Sequence, residues 1–315
     1  MKSFLSIYWI ASLPIVLLLW ESVSHHFDGF DAKNIEGKRV IVCGASTGIG
    51  EQMAYKYCSF GAHVAILSRR REKLNTVAEK CRGLGAASVT IIVGDVSTVE
   101  NSKRVLQEAL ESEGFGGEMD VLVLNHVIGI WGWWLPDDGM AGSALLDGPN
   151  GKAKGVSGGF SFVEKIFRVN TFSYIYLSTM AMPVLEKSHG RIIVVSSGAG
   201  EQGLPKVAAY SATKHALHGF FDSLRIELKH KSIPVSISLG VIGNIDTEAN
   251  RKNTGNDLKL IQRASKEECA LAIIRAGEAR ERQFYHPKAQ GIHIMPKVRP
   301  WMMDVMDTIL LKIAI

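Results

Sequence analysis

The chain has 315 residues, a length that fits one large α/β domain with appended segments, and its formal net charge is only +5. Its hydrophobic fraction of 46% and charged fraction of 21% are ordinary for a globular protein. The densest basic cluster, residues 69–73, is too short for a nucleic-acid-binding arm, so we expect no nucleic-acid partner.

The cysteines give no sign of a metal or redox site. None belongs to a Cys-x-x-Cys pair, and they are Cys43, Cys58, Cys81 and Cys269. This spacing predicts neither a zinc site nor a redox motif. We therefore expect buried, unpaired thiols and no bound metal.

An apolar run without any charge occupies residues 4–20. Its length is near the lower limit of the ~17–25 residues that a bilayer-spanning helix needs. Lys2 precedes the run and Glu21 follows it, which weakly favours a cytosolic N-terminus with the rest of the chain across the membrane. We predict a single membrane anchor helix within residues 1–24. The alternative is a cleaved signal peptide, with Ser22-x-Ser24 as the cleavage site.

From Lys38 onward, short apolar runs alternate with helical stretches, the pattern that βαβ units produce. The predicted strands cover residues 39–43, 63–67, 88–93, 121–124, 191–196 and 235–239. Helices are predicted after the first two strands, to about residues 60 and 84, and then over 99–113, within 160–187, and over 208–230 and 266–280. This alternation predicts a doubly wound parallel sheet in a domain of residues 32–290.

A glycine-rich turn, Gly44-x-x-x-Gly48-x-Gly50, lies between the first predicted strand and its helix. Glycines let the backbone approach a pyrophosphate closely, and the helix N-terminus supplies free N–H groups and a positive dipole. In this βαβ context the turn predicts a dinucleotide site. The alternative is a tight strand-to-helix turn that binds nothing.

The end of the second predicted strand reads Ser68-Arg69-Arg70-Arg71, with no carboxylate before Glu72. An NAD-binding fold usually carries an acidic residue here for the ribose hydroxyls. A guanidinium at this point can instead bind a 2′-phosphate, and the Ser68 hydroxyl can add a contact. The segment therefore favours NADP(H). The alternative, a solvated basic start of a helix, accounts for Arg70 and Arg71 but not for the missing acid.

Tyr210-x-x-x-Lys214 follows a strand that ends near Ser197, and the two side chains lie one turn apart on one helix face. A lysine ammonium beside a tyrosine lowers the phenol pKa from its ordinary value of ~10. Such a pair can exchange a proton with a substrate hydroxyl or carbonyl, while Ser197 holds the substrate oxygen. The alternative is a chance pair on a solvated helix face.

Taken in order, the glycine motif, Asp95, Asn125, Asn170, Ser197 and Tyr210-x-x-x-Lys214 resemble the classical short-chain dehydrogenase/reductases over residues 35–290. A closer likeness is to the 11β-hydroxysteroid dehydrogenase type 1 and type 1-like group. Its segments are residues 124–126, 194–197, 207–214, 245–248 and 266–270. The resemblance implies a Rossmann fold with an N-terminal membrane anchor.

The resemblance also implies a role for each catalytic residue. Tyr210 is the proton donor or acceptor, and Lys214 lowers its pKa and contacts the nicotinamide ribose. Ser197 orients the substrate oxygen, and Asn170 helps to hold a water for proton relay. The implied cofactor-binding residues are Gly44, Ser46, Thr47, Gly48, Ile49, Gly50, Ser68, Arg69, Asp95, Val96, Asn125, Tyr210, Lys214, Ile245 and Thr247.

Within that set, the resemblance assigns Arg69 to the 2′-phosphate, Asp95 to the adenine and Asn125 to the adenosine ribose. Ile245 and Thr247 are expected at the nicotinamide carboxamide.

Three departures from the family pattern bear on function. Cys43 replaces the threonine that usually opens the glycine motif. Thr47 stands where the type 1 enzyme has a basic residue, so one contact to the 2′-phosphate is lost and NADP(H) preference rests mainly on Arg69. His126 suggests general-base chemistry, but we favour a packed loop histidine.

The segment at about 128–160 is longer than the resemblance leads us to expect, and it carries Trp131, Trp133 and Trp134. Loops of this length are usually functional or disordered. The tryptophans can line the mouth of an apolar pocket, contact a membrane or pack under the loop. The C-terminal segment, residues 291–315, has one apolar helical face that suits a membrane-dipping helix, a dimer contact or a buried helix.

Together these features predict an NADP(H)-dependent oxidoreductase that interconverts a hydroxyl and a ketone on an apolar, steroid-like molecule. The resemblance implies a homodimer in the endoplasmic reticulum membrane, single-pass, with a lumenal catalytic domain. Two alternatives stay open. One is a reductase of another lipophilic carbonyl, such as a retinoid or a xenobiotic; the other is a non-catalytic NADP(H)- or lipid-binding module.

Overall fold

The computed structural model describes residues 30–129, 131–134, 159–255 and 262–288. Its strands are β1 (Arg39–Cys43), β2 (His63–Ser68), β3 (Ser88–Val93), β4 (Val121–Leu124), β5 (Arg191–Val195), β6 (Ser236–Ile242) and β7 (Gln283–His286). Its helices are α1 (Gly48–Ser59), α2 (Arg71–Gly83), α3 (Val99–Leu110), α4 (Gly159–Phe167), α5 (Ser173–Lys187), α6 (Ala208–His230), α7 (Glu248–Thr254) and α8 (Lys266–Glu278). A π-helical turn, Arg168–Phe172, joins α4 to α5.

The seven strands form one parallel sheet in the order β3-β2-β1-β4-β5-β6-β7. The chain adds strands on one side of β1 and then crosses to the other side, so the order reverses between β1 and β4. Ligands of open α/β sheets bind at the carboxyl ends of the strands beside such a reversal. The predicted doubly wound parallel sheet is thereby confirmed.

The central strands are buried on both faces, as a sheet covered by helices on both sides requires. Helices α1 and α8 pack together, and so do α3 and α5. An apolar core includes Ile41, Leu122, Leu124, Tyr174, Leu177, Ile192, Leu217 and Phe221. All four cysteines are buried and free, as predicted, and burial raises the pKa of Cys43 to about 12.

The structure corrects several predicted boundaries. The strand predicted at 235–239 is Ser236–Ile242, and β7 was not predicted at all. The helix predicted at 99–113 ends at Leu110, and the segment that follows turns through Gly114, Gly116 and Gly117 with positive φ. The long helix expected within 160–187 is divided by the π-helical turn, a local widening that a 3.6-residue period does not reveal.

Three predicted segments lie wholly or mostly outside the described residues. They are the membrane anchor at 1–24, the insertion at 128–160 beyond residue 134, and the apolar segment at 291–315. In the described part of the chain, no helix combines the length and apolar character that crossing a membrane requires.

Candidate active site

The glycine-rich turn joins β1 to α1 through backbone that only glycine adopts easily. Gly44 has a φ of +81° and Gly48 a φ of +67°. At Gly50, a Cβ atom would lie 2.2 Å from the Gly44 carbonyl oxygen. The turn therefore closes so tightly that position 50 has no room for a side chain.

Residues that directly follow β4 contact this turn. The Asn125 side-chain amide donates to the Gly44 carbonyl oxygen at 3.4 Å, and a Cβ at Gly44 would lie 2.7 Å from the His126 Cα. From the other side, a Cβ at Gly48 would lie 3.3 Å from the Thr247 methyl carbon. The structure thus brings Asn125 and Thr247 to the glycine turn, and their expected contacts with the cofactor stay a prediction.

Arg69 and Arg70, which follow β2, contact different partners. The Arg70 Nη2 donates to the Ser46 Oγ and to the Thr47 Oγ1, at 2.8 Å each. The Arg69 guanidinium instead lies 4.0 Å from the Asp95 carboxylate. The sequence assigned the 2′-phosphate mainly to Arg69, with Ser68 as a further contact, and did not predict the hydrogen bonds of Arg70 to the turn.

The remaining predicted residues lie at or after the ends of β2 and β3 and in the first turn of α1. The Ser68 Oγ accepts from the Arg70 backbone N–H at 3.1 Å, and the Asp95 carboxylate accepts from the Ser97 N–H at 3.0 Å. Val96 is buried beneath them, with 4% of its surface exposed. Ile49 follows Gly48 in the first turn of α1.

These residues fit an anionic dinucleotide cofactor. Within the described part of the chain, the Thr47 side chain makes no capping hydrogen bond to α1. The free N–H groups of the first turn of α1 and the helix dipole are therefore available to a pyrophosphate. Two guanidinium groups lie at the adjacent strand end, where the ribose of such a cofactor is bound.

The predicted proton-transfer groups meet at the end of β5. The Ser197 hydroxyl lies close enough to the Tyr210 phenol to influence its pKa. Burial raises the pKa of Tyr210, and the interaction with Ser197 opposes that increase. The phenol is consequently protonated at neutral pH and can donate to a substrate oxygen.

Lys214 lies one helical turn beyond Tyr210 and is almost fully buried, with 2% exposure. Its ammonium donates to the Val195 carbonyl oxygen at 2.9 Å and lies 5.8 Å from the centre of the Tyr210 ring. Burial lowers the pKa of Lys214 to about 7. A net lowering of the Tyr210 pKa by Lys214 was expected from the sequence, but burial of the phenol dominates in this arrangement.

Asn170 lies in the π-helical turn and is fully buried. Its side-chain oxygen accepts from the Ile128 N–H at 2.9 Å, and its amide nitrogen donates to the Ile128 carbonyl oxygen at 2.8 Å. The side chain therefore fixes the loop that follows β4. Its expected part in holding a relay water stays a prediction.

His126 is packed rather than available for proton transfer. Its Nε2 shares a hydrogen bond of 2.6 Å with the Ser173 hydroxyl, and its ring centre lies 4.5 Å from that of Tyr174. Burial lowers the pKa of His126 to about 3, and the nearby Lys214 ammonium acts in the same direction. The favoured interpretation of a packed loop histidine is confirmed.

The described start of the insertion runs beside these groups. A Cβ at Gly129 would lie 3.8 Å from the Tyr210 ring. The Gly132 N–H donates to the Lys206 carbonyl oxygen at 2.9 Å, and the Lys206 ammonium lies 5.2 Å from the centre of the Trp133 ring. This segment therefore borders the loop between Ser197 and Tyr210, and the role of its tryptophans stays a prediction.

Residues after β6 complete the site. Ile245 is buried, with 3% exposure, and forms an isolated bridge with Ala264. The Thr247 hydroxyl caps α7 by accepting from the Asn250 N–H at 3.2 Å. Both predicted residues are thus held at the carboxyl end of the sheet.

A polar network beside Ser197 was missed by sequence reasoning. The Ser196 Oγ shares a hydrogen bond of 2.9 Å with His218 Nε2, and His218 Nδ1 lies 3.4 Å from the Glu201 carboxylate. Gln283 donates to the same carboxylate at 2.6 Å. The available signal was His218 one turn after Lys214 on the same helix. Among the described residues, no group of three or more His, Cys, Asp or Glu side chains is arranged to hold a metal ion.

Comparison with known proteins gives relatives for the whole domain. A family profile described as short chain dehydrogenase matches residues 38–257. The "Hydroxysteroid 11-beta-dehydrogenase 1-like protein" of Gallus gallus is 40% identical over 264 residues, which cover 82% of this chain and 82% of the chicken protein. The "Hydroxysteroid 11-beta-dehydrogenase 1-like protein B" of Xenopus laevis is 34% identical over 292 residues, which cover 90% of this chain and 89% of the frog protein.

Solved structures share the fold at lower identity. A short chain dehydrogenase/reductase from Burkholderia phymatum, in complex with NAD, superposes with a TM-score of 0.69 at 20% identity, covering 86% of this chain and 96% of the bacterial one. An alcohol dehydrogenase from Thermococcus sibiricus, complexed with 5-hydroxy-NADP, gives a TM-score of 0.62 at 20% identity, covering 79% of this chain and 95% of the archaeal one. The chain belongs to the short-chain dehydrogenase/reductase family of nicotinamide-dependent oxidoreductases and is similar to the hydroxysteroid 11-beta-dehydrogenase 1-like proteins.

Proposed function

We propose that this oxidoreductase uses NADP(H) to interconvert a hydroxyl and a ketone on an apolar, steroid-like substrate. The observation that carries the proposal is the meeting of Ser197, Tyr210 and the buried Lys214 at the end of β5. A protonated phenol with a second hydroxyl close to it can hold a ketone oxygen between the two donors.

Each residue then has a defined part. When bound, the nicotinamide cofactor supplies or accepts the hydride. In the reducing direction, Tyr210 donates its proton to the substrate oxygen, and Ser197 holds that oxygen by a hydrogen bond. The Lys214 ammonium stabilises the phenolate that remains, because it is buried where charges interact strongly. In the oxidising direction, Tyr210 receives the proton.

Support for NADP(H) over NAD(H) comes from charge at the end of β2. No carboxylate follows the strand before Glu72, whereas two guanidinium groups, those of Arg69 and Arg70, lie there. A guanidinium suits a 2′-phosphate, and an acidic residue suits a free ribose hydroxyl.

Support for an apolar substrate comes from the aromatic segment beside Tyr210 and from the relatives, whose names refer to hydroxysteroids. Trp133 keeps 38% of its surface exposed next to the loop that joins Ser197 to Tyr210. The same segment keeps a second substrate class in view, because its tryptophans also suit a retinoid or xenobiotic ketone. A non-catalytic NADP(H)- or lipid-binding module has no need of Asn170, Ser197, Tyr210 and Lys214 together.

We further propose that residues 1–24 anchor the protein in the endoplasmic reticulum membrane, with the catalytic domain in the lumen and two copies forming a homodimer. The apolar run at 4–20 and the family resemblance support the anchor. Protease protection of intact microsomes tests the orientation: a lumenal domain is degraded only after detergent is added.

The test of the activity mixes the detergent-solubilised full-length protein with NADPH and a panel of keto-steroids, retinoid ketones and xenobiotic ketones. Loss of nicotinamide absorbance reports turnover. We expect keto-steroids to be reduced by the wild type, and Tyr210→Phe to lose roughly 10²- to 10⁴-fold in kcat while its NADPH Kd changes little. Unaltered activity in Tyr210→Phe refutes the mechanism, and turnover confined to other ketones refutes the steroid assignment.

A further inference from the structure

The basic segment after β2 carries a guanidinium that the family pattern does not assign. The resemblance gives Arg69 the 2′-phosphate and leaves Thr47 as a lost contact. In the structure, however, the group that reaches the glycine-rich turn is Arg70, which donates to the Ser46 and Thr47 hydroxyls at 2.8 Å. This side chain adds to the backbone hydrogen bonds by which Gly44 and Ala45 of the turn donate to the Leu67 carbonyl oxygen of β2.

We infer that Arg70 is a second guanidinium of the adenosine 2′-phosphate site and that it determines preference for NADP(H) over NAD(H). The inference rests on the proposed use of NADP(H). It adds a specificity-determining residue that neither the glycine motif nor the relatives' names assign.

The Arg70 side chain is preorganised for an anion. Both hydrogen bonds come from the Arg70 Nη2, and the Arg70 backbone N–H donates to the Ser68 Oγ at 3.1 Å. A long side chain loses rotamer freedom when it binds a ligand, and that loss weakens binding. Because two hydroxyls already fix the Arg70 head group, less freedom remains to be lost when an anion binds.

The Arg70 guanidinium keeps hydrogen-bond donors for a ligand. A guanidinium has five N–H donors, and within the described residues the Arg70 Nε and Nη1 make no hydrogen bond. Those donors remain for phosphate oxygens, which guanidinium groups bind through two parallel hydrogen bonds. The Ser46 and Thr47 oxygens accept from Arg70, so their own O–H groups are free to donate to the same anion.

The charges of Arg69 and Arg70 are compensated to different extents. The Arg69 guanidinium lies 4.0 Å from the Asp95 carboxylate, which offsets part of its positive potential. Among the described residues, no carboxylate forms an ion pair with Arg70. Arg70 therefore carries the less compensated charge, at the position where the basic residue of the type 1 enzyme is replaced by Thr47.

A purely structural role for Arg70 predicts a different result. If the side chain only ties the glycine turn to the end of β2, its removal weakens NADPH and NADH binding alike. If Arg70 binds the 2′-phosphate, only ligands that carry this phosphate bind more weakly. The ratio of the two affinities separates the roles without any measurement of turnover.

The experiment measures the Kd of NADPH and of NADH by nicotinamide fluorescence on the detergent-solubilised full-length protein. Displacement by 2′,5′-ADP and by 5′-ADP repeats the comparison without a nicotinamide ring. The variants are Arg70→Met, Arg70→Lys and Arg69→Met, and Arg71→Met is the matched control for loss of one positive charge. Thermal unfolding of each variant verifies that it is folded.

We expect Arg70→Met to weaken NADPH and 2′,5′-ADP binding by roughly 10- to 100-fold, the range for a charge-assisted hydrogen bond. NADH and 5′-ADP should change less than three-fold. Arg70→Lys, which keeps the charge but loses the planar fork, should lie between wild type and Arg70→Met, and Arg71→Met should match wild type. If Arg70→Met does not fold, Arg70→Lys alone must show the selective loss.

Two failures are distinguishable. If wild type prefers NADPH and Arg70→Met keeps that preference, or loses affinity for both cofactors equally, the inference is overturned while the proposed function stands. If wild type binds NADH as tightly as NADPH, the proposed cofactor is wrong and the inference falls with it.

Discussion

Replacing Gly50 with alanine tests whether the glycine-rich turn is as tightly closed as the structure indicates. Gly50 is the third residue of α1, and a Cβ there would lie 2.2 Å from the Gly44 carbonyl oxygen and 2.6 Å from the Asn125 side-chain nitrogen. Neither neighbour is the free end of a flexible chain. One is backbone, and the other is the amide that supports the turn.

Two effects of opposite sign decide the outcome. Alanine in place of glycine inside a helix stabilises by about 1 kcal/mol. Overpacking a closed site costs about 1–3 kcal/mol, and contact with a backbone oxygen favours the upper end of that range. We therefore expect Gly50→Ala to lower the free energy of unfolding by about 1–2 kcal/mol.

The measurement is thermal unfolding, together with NADPH titration. A loss of this size lowers Tm by roughly 2–8 °C, and the displaced turn should also weaken NADPH binding. Gly219→Ala is the matched control, because Gly219 lies inside α6 and its Cβ would meet no described atom within 4 Å. It should stabilise by about 0.5–1 kcal/mol. A Gly50→Ala protein with wild-type Tm and NADPH affinity would show that the packing argument is wrong.

Three further predictions concern the residues around Tyr210. The pKa of Lys214, lowered to about 7 from 10.5, means that the unfolded chain holds a proton that the folded chain lacks between these values. In urea unfolding, the free energy of unfolding of wild type should therefore rise relative to that of Lys214→Met, by up to about 1.4 kcal/mol per pH unit, as pH rises through that window. If the difference between the two proteins does not change with pH, the assignment is contradicted. His218→Ala leaves Ser196 and Glu201 short of a buried partner and should cost about 1–3 kcal/mol in the same assay, whereas no loss would make the network incidental. Trp133→Ala should raise KM for an apolar ketone with kcat and NADPH Kd nearly unchanged, and an unaltered KM would remove this tryptophan from the pocket mouth.

The sequence best predicted those strands and helices whose own residues form a recognisable pattern. Apolar runs predicted the six strands from β1 to β6 because strands buried on both faces are nearly continuous in Val, Ile and Leu. β7 was not predicted because it is an edge strand of four residues, Gln283–His286, of which only Phe284 is buried. With one neighbouring strand and half-exposed side chains, it needs no apolar run.

The residues that were missed act between elements. Arg70 reads as a solvated helix start because its hydroxyl partners belong to a turn more than twenty residues earlier, and nothing in the local sequence joins them. Nothing in the local sequence links His218 of α6 to Glu201, which lies on the loop after β5. Local periodicity contains no information on such pairs, since the sheet order determines which strand ends become neighbours.

The position of the site follows from that same sheet order. Strand β1 pairs with β2 through Cys43 and Leu67 and with β4 through Cys43 and Leu124, so three strand ends meet where the glycine turn begins. The segments that follow them supply Gly44, Arg70 and Asn125, respectively. A guanidinium from one neighbour and an amide from the other therefore act on one turn, the former through Ser46 and Thr47 and the latter through Gly44. Because Arg70 contacts the turn that Gly50 closes, thermal unfolding of the Arg70 variants separates loss of a 2′-phosphate contact from displacement of the turn.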